Sequence, residues 1–300
     1  MRRMVIGQFA EPCVLWSGFD PSVVARSYAQ FAGILAGFAF VVINLVLDRA
    51  YRRRGDSRTL DPREAAHENQ VGIALVCAFL GLILTTLRYS LLAGESGCAL
   101  TEGRAGSAAV LAAVLLAASV YMLLYAVVQF FSGTSALLVK HCVFILAVIA
   151  PALAVAFVEQ TLGHLAIALG NPETRQPLQP LWDQANHFST LIPVALICVS
   201  AVIWLVGIKR RHSETLDATM ARRFQMLVPY TTIALAIAVT MRSVALLGYA
   251  NPAVHISPTE AWIWVGVLAL TLLLQSAALS FQRGVEVPFT GASTVAHKAA

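Results

Sequence analysis

Seven long apolar stretches predict an all-α polytopic membrane protein of seven transmembrane helices, N-terminus outside and C-terminus inside. Two further observations carry that prediction. The 300-residue chain is 58% hydrophobic and only 12% charged, a balance that belongs to the membrane class. The basic residues also alternate in the segments between the spans. Fourteen fall on one side and five on the other, and Lys and Arg near a span are retained on the cytoplasmic side. Arg2 and Arg3 oppose this orientation, but they lie far from the first span. The net charge of +5 is therefore topogenic, and no nucleic-acid partner is expected.

Residues 1–28 are expected to be extracytoplasmic. Arg2 and Arg3 precede a short apolar run that Glu11 and Pro12 interrupt, with no small-residue cleavage site, so no signal peptide is read. Phe9, Val14, Leu15, Trp16 and Phe19 suit a segment lying on the membrane surface or capping the bundle.

Span 1, Ala29–Leu47, is uncharged and rises about 28 Å as a helix, close to the hydrocarbon thickness. Gly33 and Gly37 stand one turn apart among Ala29, Ala32, Ala36 and Ala39. Such a face lets a second helix approach closely, so these glycines are the candidate packing site and span 1 the expected centre of the bundle. The face suits a homo-oligomer or a membrane partner subunit equally well.

The loop Asp48–Gln70 carries six arginines, and its Asp61-Pro62 reads as a helix start. Span 2 is Val71–Leu92 and span 3 Ser107–Phe131; a short turn then makes span 4, Leu137–Val158, an antiparallel neighbour of span 3. Beyond Glu159, the spacing of Leu162, Leu165, Ala166 and Leu169 predicts an interfacial extension ended by Gly170-Asn171-Pro172. Span 5 is Phe188–Ile208, span 6 Met226–Leu247 and span 7 Ala261–Phe281. The tail 283–300 reads as disordered and cytoplasmic. The chain thus divides into helices 1–3 (29–131), helix 4 with its outer loop (132–187) and helices 5–7 (188–282).

Arg53-Arg54-Gly55-Asp56-Ser57-Arg58-Thr59-Leu60-Asp61 resembles Lys209-Arg210-Arg211-His212-Ser213-Glu214-Thr215-Leu216-Asp217, with five of nine positions identical. Thr86-Leu87-Arg88 matches Thr240-Met241-Arg242 at nearly the same offset. Both pairs fit a 3+1+3 parallel repeat, a known transporter plan; two basic loops that converged by composition would look the same.

Arg88 and Arg242 are the strongest chemical anomalies, each four or five residues inside the outer end of its helix. Two guanidiniums facing one cavity could hold a carboxylate, a phosphate or a lipid head group. Snorkelling to lipid phosphates, or to Glu95 and Glu260, is the plainer alternative. No Asp or Glu falls inside the seven spans as bounded above, which counts against proton coupling.

Among the cysteines, Cys13 and Cys98 lie in outer segments and are the expected disulfide; Cys77, Cys142 and Cys198 are expected to be buried thiols. Asp183, His187, Glu159, His164, His255 and Glu260 share the outer side without the spacing of a metal signature. No metal and no cofactor are expected.

Three function classes follow. The first is transport or permeation of a small anionic solute or lipid through the arginine pair. The second is an accessory, sensory or assembly subunit without its own chemistry. The third is an enzyme on an outer-face lipid, with His164, His187 or Glu159 as acid or base. The Arg-over-Lys bias and abundant Ala suggest a bacterial inner membrane.

Overall fold

The computed structural model describes residues 21–55, 62–94, 103–131, 136–170, 177–212, 218–248 and 254–281. The regular elements among them are all helical. They are α1 (Pro21–Gly55), α2 (Pro62–Gly94), α3 (Gly103–Phe130), α4 (Ala136–Phe144), α5 (Ala150–Ala168), α6 (Gln179–His212), α7 (Ala218–Leu247) and α8 (Pro258–Ser280). A π-helical turn, Ile145–Ile149, joins α4 to α5 into one continuous rod. Counting that rod once, seven helical spans are long and apolar enough to cross a membrane. This is a multi-pass membrane protein. We call the end bearing the start of α1 the outer end, after the charge distribution.

The centre is α3, not the first span. In its most apolar window 83% is buried, against 22% for α1. It packs against α2, α5, α7 and α8, while α1 leans on α2 and α6 on α5 and α8. The physical reason lies in the distribution of side chains around each helix. On α1 the small residues Ala25, Ala29, Ala32, Ala36 and Ala39 form one buried stripe, and Phe31, Ile34, Phe38, Val41 and Leu45 stay exposed. On α3, apolar or small residues occupy every side, and a helix apolar all round belongs inside a bundle. Several, such as Ala112, Ala113, Ala117, Ala118 and Ser119, are small enough to admit close neighbours.

The π turn follows from one proline. At its end the Ala150 N–H bonds the Ile145 carbonyl, five residues back. The next bond in that register would join the N–H of residue 151 to the Leu146 carbonyl. Residue 151 is Pro151, which has no N–H, so that carbonyl is left over inside the bundle. Tyr121 of α3 supplies the donor, its hydroxyl lying 2.8 Å from the Leu146 oxygen and 3.1 Å from Ser276 Oγ. Tyr121→Phe should therefore lower stability by about 1–3 kcal/mol, the cost of a buried acceptor left unpaired. Thermal unfolding in detergent would read this; an unchanged midpoint would mean that another donor reaches Leu146.

At the outer end α8 begins with Ser257-Pro258-Thr259-Glu260. Ser257 Oγ accepts from the Glu260 N–H at 3.1 Å, and proline at the first position suits a helix start. In a capping box the acid would reach back to the cap. Here Glu260 turns across to α7.

Candidate functional site

Three kinds of polar chemistry enter the apolar bundle. The first is the outer arginine pair. Arg88, from α2, donates through Nη2 to the Thr240 carbonyl of α7 at 3.2 Å. Arg242, two residues further along α7, forms a forked pair with Glu260 of α8. Its Nη2 lies 2.9 Å from Oε2, and its Nε donates to Oε1. Trp264 Nε1 approaches the same Oε1 at 3.5 Å. The two guanidiniums thus have different partners, Arg88 on α7 and Arg242 on α8, and Arg88 bonds the residue that matches Thr86 in the sequence repeat.

The Arg242 and Glu260 side chains keep 32% and 27% of their exposure, so screening limits the pair. A double-mutant cycle with Arg242→Ala and Glu260→Gln should return a coupling of about 0.5–1 kcal/mol. Stability in detergent is the readout; additive effects would show that the fork contributes nothing.

The second is Glu159, and it corrects the expectation that acids are absent from the spans. The fourth span runs Val139–Ala168 rather than ending at Val158, which puts Glu159 about 8 Å outward of its midpoint at 1.5 Å per residue. Helical spacing sets Glu159 on one face with Val155, Leu162 and Ala166, all buried. Glu159 itself is 2% exposed, and neither carboxylate oxygen has a hydrogen-bond partner among the described residues. The nearby Thr161 hydroxyl is spent on the Val158 carbonyl at 2.6 Å. A carboxyl group buried without a hydrogen bond is costly to retain.

Toward the inner end, α3 carries Tyr121, Tyr125 and Gln129 at four-residue spacing, all buried. Gln70 of α2 lies 3.5 Å from the Tyr125 hydroxyl. On the α7–α8 side, Gln275 Nε2 donates to Thr232 Oγ1 at 2.6 Å, while its Oε1 has no partner among the described residues. Hydroxyl and amide groups thus line the inner half of the central helix, and a single carboxyl stands in the outer half of its neighbour.

The other candidates fall as follows. Gly33 is partly buried, with Thr86 as its nearest neighbour: an added Cβ would lie 3.8 Å from the Thr86 methyl. Gly37 is exposed and would meet nothing within 4 Å. The alanine stripe, one step round the helix, makes the contact with α2. Cys13 and Cys98 lie outside the described residues. Cys77 is buried as expected, but Cys198 is exposed on α6, toward lipid. His164 follows Glu159 by five residues, about 140° round the same helix, and is exposed. His187 is exposed too, its ring edge-on to Phe188. Among the described residues no three His, Cys, Asp or Glu side chains are grouped to hold a metal ion.

The chain matches no family model, no curated protein and no solved structure. Sequence reasoning named Glu159 as an outer-side acid or base but set it beyond the end of the fourth span, although the signal for a longer span was present. The apolar spacing continues through Leu162, Leu165, Ala166 and Leu169, and only the convention of ending a span at the first charge concealed it.

Proposed function

We propose that this protein is a permeation or transport protein for a small anionic solute, with proton exchange at Glu159. The observation that carries the reading is a carboxyl group buried within the fourth span, with no hydrogen-bond partner among the described residues. Such groups are expensive to retain and characteristically serve proton relays or ion pathways. In this reading Arg88 and Arg242 form the outer anion-attracting entrance, and Glu260 occupies Arg242 until a solute anion competes for the fork. The amide and hydroxyl ladder along α3 supplies polar contacts on the inner half. The repeat relating Arg88 to Arg242 fits this arrangement, because one guanidinium comes from each half.

The test uses vesicles containing the purified protein and an internal pH-sensitive dye, with chloride, phosphate or succinate added outside. At least one of these anions should drive a change of internal pH that Glu159→Gln abolishes and Arg242→Ala slows. If wild-type protein gives the same pH traces as empty vesicles with all three, the permeation reading fails.

A second reading, an accessory or assembly subunit, is favoured by the two lightly buried helices. Only 22% of the α1 window and 17% of the α6 window are covered, and these are the faces on which a partner subunit or second copy would seat. The lipid-enzyme reading draws less support, since buried Glu159 and exposed His164 lie on different faces of one helix.

A further inference from the structure

We propose that the outer ends of α1 and α2 form a seat for one anionic phospholipid, its phosphate at Arg26 and one acyl chain along Gly33 and Gly37. The site is independent of the permeation reading and shares no residue with it. A groove of about 560 Å³ opens there, lined by Arg26, Gln30 and Gly33 of α1 and by Thr86, Ser90 and Gly94 of α2, among others. Arg26, Gln30 and Ser90 are exposed at its rim and supply one positive charge with further donors. The Thr86 hydroxyl donates to its own helix, 2.9 Å from the Leu82 carbonyl, and its methyl and hydroxyl stand 3.8 and 3.9 Å from where a Cβ on Gly33 would lie.

The groove's own lining reaches inward as far as Gly33 and Thr86, and helical spacing carries the same lines of both helices further in. Arg26, Gln30, Gly33, Gly37 and Phe40 fall on one line of α1 at alternating spacings of three and four, and Phe79, Ile83, Thr86 and Ser90 form the matching line of α2. The buried alanine stripe closes the seam behind them. At the inner end the Phe40 and Phe79 rings meet with centroids 6.0 Å apart and shut the channel. From Arg26 to Gly37 the helix rises about 16 Å, close to one leaflet of a hydrocarbon core about 30 Å thick.

That depth, and not charge alone, selects a lipid over a free anion. Below the polar rim the exposed neighbours are Ile34 and Phe38 on one side and Leu87 on the other, so the mouth opens sideways to hydrocarbon. This also explains the glycines. They keep the groove open, and the alanines make the helix contact.

The experiment is native mass spectrometry of the full chain in detergent, offered equal phosphatidylglycerol and phosphatidylcholine. One phosphatidylglycerol should be retained preferentially. Arg26→Gln should reduce that preference by about five-fold, the effect of one basic residue at an anionic surface. Gly33→Leu and Gly37→Leu, which leave the charge intact, should each lower retention of both lipids by filling the chain seat. Melting curves of the same variants report folding, and Gly37 has the space to accept a side chain. Unchanged lipid ratios in Arg26→Gln, or unchanged retention in both glycine variants, would overturn the proposal. So would displacement of the bound lipid by inorganic phosphate alone, which would mark an anion site without a chain seat.

Discussion

Glu159→Leu should leave the protein folded and as heat-stable as the parent or more so, while removing all proton exchange. Leucine approximates the volume of glutamate and deletes two oxygens that have no partner among the described residues. Removing a buried, unsatisfied polar group recovers up to about 1–3 kcal/mol. Glu159→Gln should stay near the parent, because an amide in the same place is no better satisfied. Glu159→Lys would place a charge among Val155, Leu162 and Ala166 and should cost several kcal/mol. Thermal unfolding in detergent orders the three. Dicyclohexylcarbodiimide, an apolar reagent that adds to protonated carboxyl groups, reads the chemistry directly. It should modify the parent at Glu159, and Glu159→Leu should lose that modification. A strongly destabilised Glu159→Leu would show instead that the carboxyl has a structural partner, and the proton-exchange reading would lose its basis.

The second large effect is expected at Gly207, where α6 crosses α8 near the inner end. A Cβ there would lie 2.6 Å from the Ser280 carbonyl oxygen and 2.9 Å from its carbon. Those are backbone atoms, so no rotamer change relieves the contact and the two helices must separate. Gly207→Ala should cost about 1–3 kcal/mol, the range for overpacking, and Gly207→Val more. Gly37→Ala is the paired control. Its Cβ would meet nothing within 4 Å, and helix propensity alone favours alanine there by up to about 1 kcal/mol. Melting both variants in the same detergent should move the midpoint down for Gly207→Ala and leave it level or raised for Gly37→Ala. Equal shifts would mean that the α6–α8 crossing yields without cost.

Composition and run length made the seven spans legible, because a bilayer demands about twenty apolar residues per crossing whatever the tertiary arrangement. Glu260 was also foreseen, with Glu95, as an outer carboxylate to which a snorkelling arginine could turn, and Arg242 takes that alternative. Gly33 and Gly37 show where legibility stops. Their spacing identified a small-residue face, but spacing cannot say which of two adjacent stripes meets the neighbour. The structure gave the contact to the alanines, because Ala25, Ala29, Ala32, Ala36 and Ala39 continue the seam for more than three times the length that two glycines can.

The sequence by itself determined what kind of protein this is: a seven-span membrane chain whose crossings follow from hydrophobic length. Local physics suffices there, since each span satisfies its own backbone hydrogen bonds. Which helix is central, which acid is buried and where each arginine points were decided only by tertiary structure. These depend on comparing all faces of all helices at once. α3 wins the centre because every side of it is apolar, and Glu159 is enclosed because its helix continues beyond the charge.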